Sequence, residues 1–317
     1  MFKVESSERW VQRMYYFIVN VRASSGKGKK VWQQVEPELR KRQVAYESIL
    51  TTHKGHARQV TKELTSKGEE CKIVVLGGDG TLNEVVNGIV DFTCVTLGYI
   101  PAGSGNDFAR GMKIPQNPIE ALERVLRPSK VVEMDVAVLT RNYKKWRFAV
   151  SCGKGFDAAV CHQTMVSRWK PFLNKIKLGK LTYVLVALQR LYADRPKRVT
   201  MIRDGGEPEI FDYTYFVAVM NVPFEGGGFE FCPKADCTDG LLDIIVASGI
   251  PKWQVLLLLP LAMKGKHVGK RGVNIYQCEK VEFLSENPMP LHTDGEPLFM
   301  RKHISMEIHK ERVRVML

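Results

Sequence analysis

Residues 74–88, VVLGGDGTLNEVVNG, constrain the chain more than any other stretch. The apolar run KIVVL (residues 72–76) stops at Gly77-Gly78-Asp79-Gly80, and a helical pattern over residues 82–90 follows at once. A buried strand that turns straight into a helix through glycines belongs to alternating α/β folds. Glycines in such a loop admit positive φ and let an anion approach backbone N–H groups without a Cβ in the way. The helix N-terminus adds favourable partial charge. Asp79 would repel a bare phosphate, so the loop calls for a divalent cation between them or for a charge network. As a bare turn, the same residues need be no more than a connection whose Asp caps the helix. The run is neither a Walker A motif nor the dinucleotide fingerprint.

The pattern repeats on both sides. Residues 15–20 (YYFIVN) read as a buried strand that ends in a loop, ASSGKGKK, after which Val31, Trp32, Val35 and Leu39 recur at helical spacing. A strand near residues 44–50 precedes a helix over 56–66, and a strand over 95–100 runs into Pro101-Ala102-Gly103-Ser104-Gly105 and a helix from about Asn106. This order predicts parallel pairing with right-handed crossovers, and both glycine loops then emerge on one rim, at the carboxyl ends of their strands. Asp107 and Arg110 stand one helical turn apart, suited to an ion pair.

Beyond residue 138 the pattern changes. Residues 146–152, 213–220, 241–247, 273–278, 281–284 and 304–308 read as strands with few helices between them, except over 181–192 and 252–263. The expected fold is therefore α/β in two domains. Residues 1–138 read as the α/β domain and 139–317 as a mainly antiparallel one.

The formal charge of +13 favours anionic partners: phosphates, nucleic acid or acidic headgroups. With 9% aromatic residues, no stacking platform for nucleic acid is evident, so a nucleic-acid partner is not expected. Seven scattered cysteines without a C-x-x-C pair indicate neither a zinc site nor a disulfide framework and suit a reducing cytosol. The charged N-terminus does not read as a signal peptide, and the most apolar stretch, residues 255–263, is far shorter than the roughly 20 residues a spanning helix needs. The expected location is cytoplasmic, with any membrane contact peripheral. Residues 168–192 combine Trp169 and Phe172 with Lys170, Lys175, Lys177 and Lys180 ahead of an apolar helix, which fits an interfacial segment as well as it fits packing on the sandwich. The basic cluster over residues 264–271 could add attraction to anionic lipid. A homodimer is allowed for.

Four blocks, ASSGKGK (23–29), GGDGTLNEVVNG (77–88), IPAGSGNDFAR (100–110) and FEGGGFEFCPKADCTDGLLDIIV (224–246) with HTDGEPL (292–298), span nearly the whole chain. In these it resembles the catalytic domain shared by soluble bacterial diacylglycerol kinases, other bacterial lipid kinases, and sphingosine and ceramide kinases. The resemblance implies that residues 1–138 are a three-layer α/β nucleotide-binding domain like that of NAD kinases and phosphofructokinases and 139–317 a mainly antiparallel β-sandwich, with the last stretch, about 20 residues, able to pack back on the first domain and the active site between the two. It also implies ATP and Mg2+ as cofactors and a lipid alcohol, diacylglycerol-like or sphingoid, as phosphoryl acceptor at the membrane surface.

The family's nucleotide contacts fall on Asn20, Ser25, Gly26, Thr51, Gly77, Gly78, Asp79, Gly80, Thr81, Leu82, Asn83, Glu84 and Ser104. The N-terminal loop departs from the family's Asn-Pro-x-Ser-Gly, reading Asn20-Val21-Arg22-Ala23-Ser24-Ser25-Gly26. Asp294-Gly295-Glu296 matches the position of the general base that a poorly nucleophilic lipid hydroxyl needs; Asp294 is taken first and Glu296 as the alternative. Alone, this tripeptide would read as a hairpin turn with an exposed Glu. Asp239 with the carbonyls of Leu242 and Ile244 matches a second magnesium site, and Lys27, Asp107, Arg110 and Asp135 match a buried charge network. Asp79 joins Asp294 and Glu296 as a catalytic candidate. The rival readings are a kinase of a soluble substrate, resembling NAD kinase, and a non-catalytic lipid- or nucleotide-binding regulator. The regulator would need none of Asp79, Asp239 and Asp294.

Overall fold

The computed structural model describes residues 14–141, 144–156, 158–160, 189, 191, 193, 195–298 and 300–317. The first part of the chain runs β1 (Tyr15–Val19), α1 (Ala23–Lys41), β2 (Tyr46–Leu50), α2 (His56–Thr65), β3 (Cys71–Gly77), α3 (Asp79–Gly88), β4 (Val95–Pro101), α4 (Asp107–Gly111), α5 (Pro118–Leu126) and β5 (Val131–Met134). Strands β2, β1, β3 and β4 are neighbours in that order and all parallel. β1 and β3 are near-continuous apolar runs because helices cover both faces of the sheet, so each alternate residue must be apolar too. Phe17, Ile18, Val74, Val75 and Ile100 are fully buried in the resulting core, with Val35 and Leu39 of α1 and Val85 and Val86 of α3.

The second part comprises β6 (Ala137–Arg141), β7 (Lys144–Phe148), β8 (Ser151–Gly155), β9 (Lys197–Arg203), β10 (Glu209–Thr214), β11 (Phe216–Met220), β12 (Leu242–Ala247), α6 (Lys252–Ala262), β13 (Val273–Cys278), β14 (Lys280–Met289), β15 (Leu291–Thr293), β16 (Glu296–Pro297) and β17 (Arg301–Ile308). They form two six-stranded antiparallel sheets, β10-β9-β14-β17-β6-β7 and β13-β12-β11-β8-β15-β16. The inner faces meet over a core that includes Leu139, Val217, Ile244, Phe283 and Ile304. The last strand, β18 (Val313–Met316), returns to the first sheet between β4, which it joins parallel, and β5, which it joins antiparallel. β9 and β18 are strands that the periodicity did not indicate. The helix expected over 181–192 and the interfacial segment over 168–192 lie almost wholly outside the described residues. No described helix is long and apolar enough to cross a membrane. The six described cysteines are free and buried.

Candidate active site

The loops after β1, β2, β3 and β4 share one rim of the parallel sheet. After β1 the chain takes three left-handed residues in succession, Ser24 (φ 47°), Ser25 (φ 56°) and Gly26 (φ 94°), before α1 becomes regular. Two L-residues in that region are costly, so the loop is held by its surroundings. A Cβ on Gly28 would stand 2.0 Å from the Asn20 carbonyl oxygen, which makes that glycine obligatory. Asn20 Nδ2 donates to Thr81 Oγ1 at 3.0 Å, and the Arg22 N–H donates to Asn20 Oδ1 at 3.1 Å, so Asn20 splices the first loop to the start of α3. The hydroxyls of Ser24 and Ser104 meet at 3.1 Å and join the first loop to the fourth. Gly78 and Gly103 touch backbone to backbone, since a Cβ on Gly103 would lie 2.5 Å from Gly78 Cα. The second loop is fixed by Glu84, whose Oε1 accepts from the Gly55 N–H at 2.8 Å, and the buried Thr51 begins it with an N–H donated to Val19 O. Ser25 and Gly26 stand on this rim with Gly77, Gly78, Asp79, Gly80 and Thr81. Leu82 is core, and only its backbone is near the rim.

Asp79 caps a helix, but the helix is α4 rather than its own. Its Oδ1 accepts from the Phe108 N–H at 3.1 Å and its Oδ2 from the Asp107 N–H at 3.2 Å. Burial pushes its carboxyl above the usual range against those hydrogen bonds. Asp107 is pushed to about 7, first by burial and then by the charge of Asp79. Its Oδ1 pairs with Arg110 at 2.6 Å and its Oδ2 accepts from the Gly227 N–H at 2.7 Å, so the glycine loop 225–229 closes down on the same point. A Cβ on Gly105 would lie 3.2 Å from Asp107 Oδ2 and 3.3 Å from Asp79 Oδ2, which shows how closely the two carboxyls crowd. Crowded carboxyls that resist ionisation suit a cation. Among the described residues no group of three or more acidic, His or Cys side chains could hold one, so phosphate oxygens would have to complete the shell.

Asp294 and Gly295 are the two central residues of the β15–β16 hairpin, both with positive φ (47° and 77°), as a tight two-residue turn requires. The turn is a hairpin, yet its Asp is buried rather than exposed. Asp294 Oδ1 accepts from the N–H groups of Val150 (2.8 Å) and Ser151 (3.0 Å), and Oδ2 from Ala149 N–H (2.9 Å) and Asn83 Nδ2 (2.8 Å). Burial lifts its carboxyl to about 6 despite these four donors. Asp294 thus pins the hairpin to the link between β7 and β8 and to α3. Glu296 is different: it is half-buried, pairs with Lys54 of the second loop, and lies where a Cβ on Gly80 would be 2.9 Å from its Oε1. A carboxylate of the sandwich therefore faces the glycine loop of the α/β domain. The expectation that put the free carboxylate on Asp294 first meets an oxygen pair already filled, whereas Glu296 remains open to the cleft.

Asn83 donates to Arg147 O as well as to Asp294, so its side chain ties the two domains and does not face the rim. Asn87 repeats the device one turn on, donating to Arg147 O and accepting from Arg147 N–H. Sequence reasoning missed this seam, and it missed the buried pair of His292 Nε2 and Glu225 Oε1 at 2.8 Å, which joins β15 to the loop 225–229. The four-membered charge network does not assemble. Lys27 is exposed and makes no ion pair among the described residues, and Asp135 pairs instead with Arg312 at 2.7 Å and accepts from the Gly240 N–H. Asp239 is exposed, with Oδ1 taken by the Leu241 N–H, and Ile244 sits inside β12 paired on both sides, where its carbonyl points at a neighbouring strand. Of the set expected for a second magnesium, Asp239 with Leu242 and Ile244, one Asp239 oxygen is thus engaged and Ile244 lies within the sheet ladder.

An α/β half with glycine loops meeting on one rim, closed by a sandwich half that returns a carboxylate to that rim, defines a two-domain kinase fold. Residues 14–139 match the diacylglycerol kinase catalytic domain, and residues 150–316 the YegS C-terminal NAD kinase beta sandwich-like domain. A Bacillus subtilis (strain 168) relative named as a lipid kinase, YtlR, is 32% identical over 89% of this chain and 93% of its own length. A Mycobacterium tuberculosis (strain ATCC 25618 / H37Rv) diacylglycerol kinase is 32% identical over 67% of this chain and 66% of its own. The chain belongs to the diacylglycerol and lipid kinase family. Two crystal structures share the fold: a diacylglycerol kinase from Bacillus anthracis str. Sterne (TM-score 0.67, 22% identity, 96% of each chain) and an NAD kinase from Archaeoglobus fulgidus in complex with ATP (TM-score 0.54, 14% identity, 96% of this chain and 93% of the other).

Proposed function

We propose that the protein transfers the γ-phosphoryl group of ATP to a hydroxyl of a diacylglycerol-like or sphingoid lipid, with Mg2+, at a cytoplasmic membrane surface. The observation that carries this reading is Glu296 poised over Gly80, a proton acceptor opposite a phosphate-type loop. Gly26, Gly78, Gly80, Ser25 and Ser104 offer backbone N–H groups and hydroxyls to the nucleotide phosphates, and Asp79 with Asp107 offers carboxyl lone pairs to the cation. Bound MgATP supplies the phosphoryl group and the charge neutralisation its transfer needs.

The lipid O–H gives its proton to Glu296 as the oxygen bonds to the γ-phosphorus, while the bond to the β-phosphate oxygen breaks and its electron pair leaves with ADP. Lys54 holds the Glu296 carboxylate in an ion pair from the second loop. Asp294 is a positioning residue that fixes the hairpin carrying Glu296. Lipid as acceptor is supported by α6, which presents Trp253, Leu256 and Leu257 to solvent beside the exposed Lys264, Lys266, Lys270 and Arg271.

Purified protein with Mg2+ and γ-labelled ATP, offered mixed micelles of diacylglycerol, monoacylglycerol, phosphatidylglycerol, ceramide or sphingosine, and NAD in solution, is expected to label one lipid. Label on NAD alone would favour a soluble acceptor. No label on any, with ATP bound, would favour a regulator.

A further inference from the structure

At the end of α3 away from the glycine loop lies a second cleft, of about 300 Å³, walled by α2 and α3 on one side and by β6, β7 and the residues after β17 on the other. Its polar lining is cationic: Arg58 and Lys62 from α2, Lys145 and Arg147 from β7, and His309. Arg58, Lys62 and Lys145 are exposed at the cleft and make no ion pair among the described residues. Arg147 is held rigidly. Its guanidinium donates to Val86 O at 3.2 Å and Ile89 O at 2.7 Å, the carbonyl end of α3, and lies 4.7 Å over the Phe92 ring, which stacks on His309 at 4.8 Å. These bonds take part of one guanidinium and leave the rest of it to the cleft. Arg58 repels Arg147, and both Arg147 and Lys145 oppose protonation of His309, which burial already disfavours. Glu311 is the acid that offsets this, acting on both Arg147 and His309.

A basic run on an open surface is usually a solvated face. Here the cations are concave, one is fixed by backbone carbonyls, and they come from both domains. Four permanent cations against one carboxylate leave a positive excess that a phosphate dianion would offset in large part, and Arg and Lys together form a good phosphate cradle. We propose that this cleft is an anion site that takes a phosphate group and, by bridging α2 to β7, clamps the two domains along the seam made by Asn83, Asn87 and Asp294. It stands about 15 Å from the glycine loop, the length of the ten-residue α3, and so is a separate site from the nucleotide rim. The group could be a free phosphate or the head of an anionic phospholipid.

The test uses the full chain and the triple variant Arg58→Ala/Lys62→Ala/Lys145→Ala, none of which touches the nucleotide rim. Thermal unfolding is followed at fixed ionic strength as chloride is replaced by inorganic phosphate, and binding to phosphatidylcholine vesicles with and without phosphatidic acid is measured by sedimentation. The wild type is expected to gain stability saturably with phosphate, and the triple variant to need at least about tenfold more phosphate while melting no lower than wild type in chloride, because like charges have been removed. Vesicle binding that weakens in the variant only when phosphatidic acid is present assigns the site to a lipid head; unchanged vesicle binding assigns it to a soluble phosphate. A phosphate response that is equal in both proteins, or absent from the wild type together with unchanged vesicle binding, overturns the proposal. Should the triple variant fold poorly, Lys62→Gln alone, exposed and with no ion pair among the described residues, reads the same shift on a smaller scale.

Discussion

Two Asp-Gly turns stand on either side of the cleft, and they use the same pair of residues differently. In the first domain Asp79 caps α4 and burial holds its carboxyl above the usual range, while nearby Asp107 is raised first by burial and then by the charge of Asp79. In the second, Asp294 takes four hydrogen bonds from three consecutive backbone amides and Asn83. The first turn crowds two buried carboxyls, and a cation beside them would favour their ionised forms. The second is a fastening, and the residue it positions is Glu296. On the function proposed above, a motif that reads as one tripeptide divides into a clasp, Asp294, and a proton acceptor, Glu296.

Substitutions that separate the clasp from the acceptor sharpen this contrast most. Glu296→Gln is expected to lower turnover by about 10²- to 10⁴-fold, the usual worth of a general base, while changing stability by less than about 0.5 kcal/mol, as at other partly exposed positions. A lipid phosphorylation assay paired with urea unfolding of the same sample reads both. Turnover within a few-fold of wild type would return the base role to Asp294. The reverse pattern is expected for Asp294→Asn: its amide would face the N–H of Ala149 and the amide of Asn83, donor against donor. The cost is about 1–3 kcal/mol of stability, with the activity loss carried by displacement of the hairpin. A variant as stable as wild type but inactive would show that Asp294 reacts with substrate.

How far the sequence revealed these roles follows from the range of the interactions involved. The parallel sheet was readable because β1, β3 and β4 are local apolar runs and each glycine loop directly follows its strand. Asp107 with Arg110 was readable for the same reason, being one helical turn apart. The capping of α4 by Asp79 crosses 28 positions and the clasp of Asp294 to Asn83 crosses 211, and no periodicity records such distances. The resemblance groups Asp135 with Lys27, but its cation is Arg312, brought close as the chain leads into β18 on the first sheet. β18 itself is four residues long and alternates apolar with Arg314, too little pattern to announce a strand among charged neighbours. Glu296 and Asp294 could not be told apart in sequence because the difference between them is burial, which the hairpin alone does not reveal.

The smallest expected effect tests the crowding of Asp79 and Asp107. The folded carboxyl of Asp107 sits near 7, above its ordinary value of 3.8, so the native chain binds this proton more tightly than the unfolded chain does. Its contribution to stability is therefore fully present at low pH and is lost as pH rises through the folded value, with a slope of at most about 1.4 kcal/mol per pH unit for one proton. Asp107→Asn removes that titration and is expected to flatten the fall in stability between pH 5 and 7, measured by urea unfolding at each pH, even though loss of the Arg110 pair lowers the whole curve. Mg2+ with ATP should offset more of the wild-type loss at pH 8 than at pH 6, since only the ionised carboxyls attract the cation. Parallel pH curves for the two chains would mean that Arg110 already balances Asp107, and the glycine rim would then be no more in need of a cation than the hairpin clasp opposite.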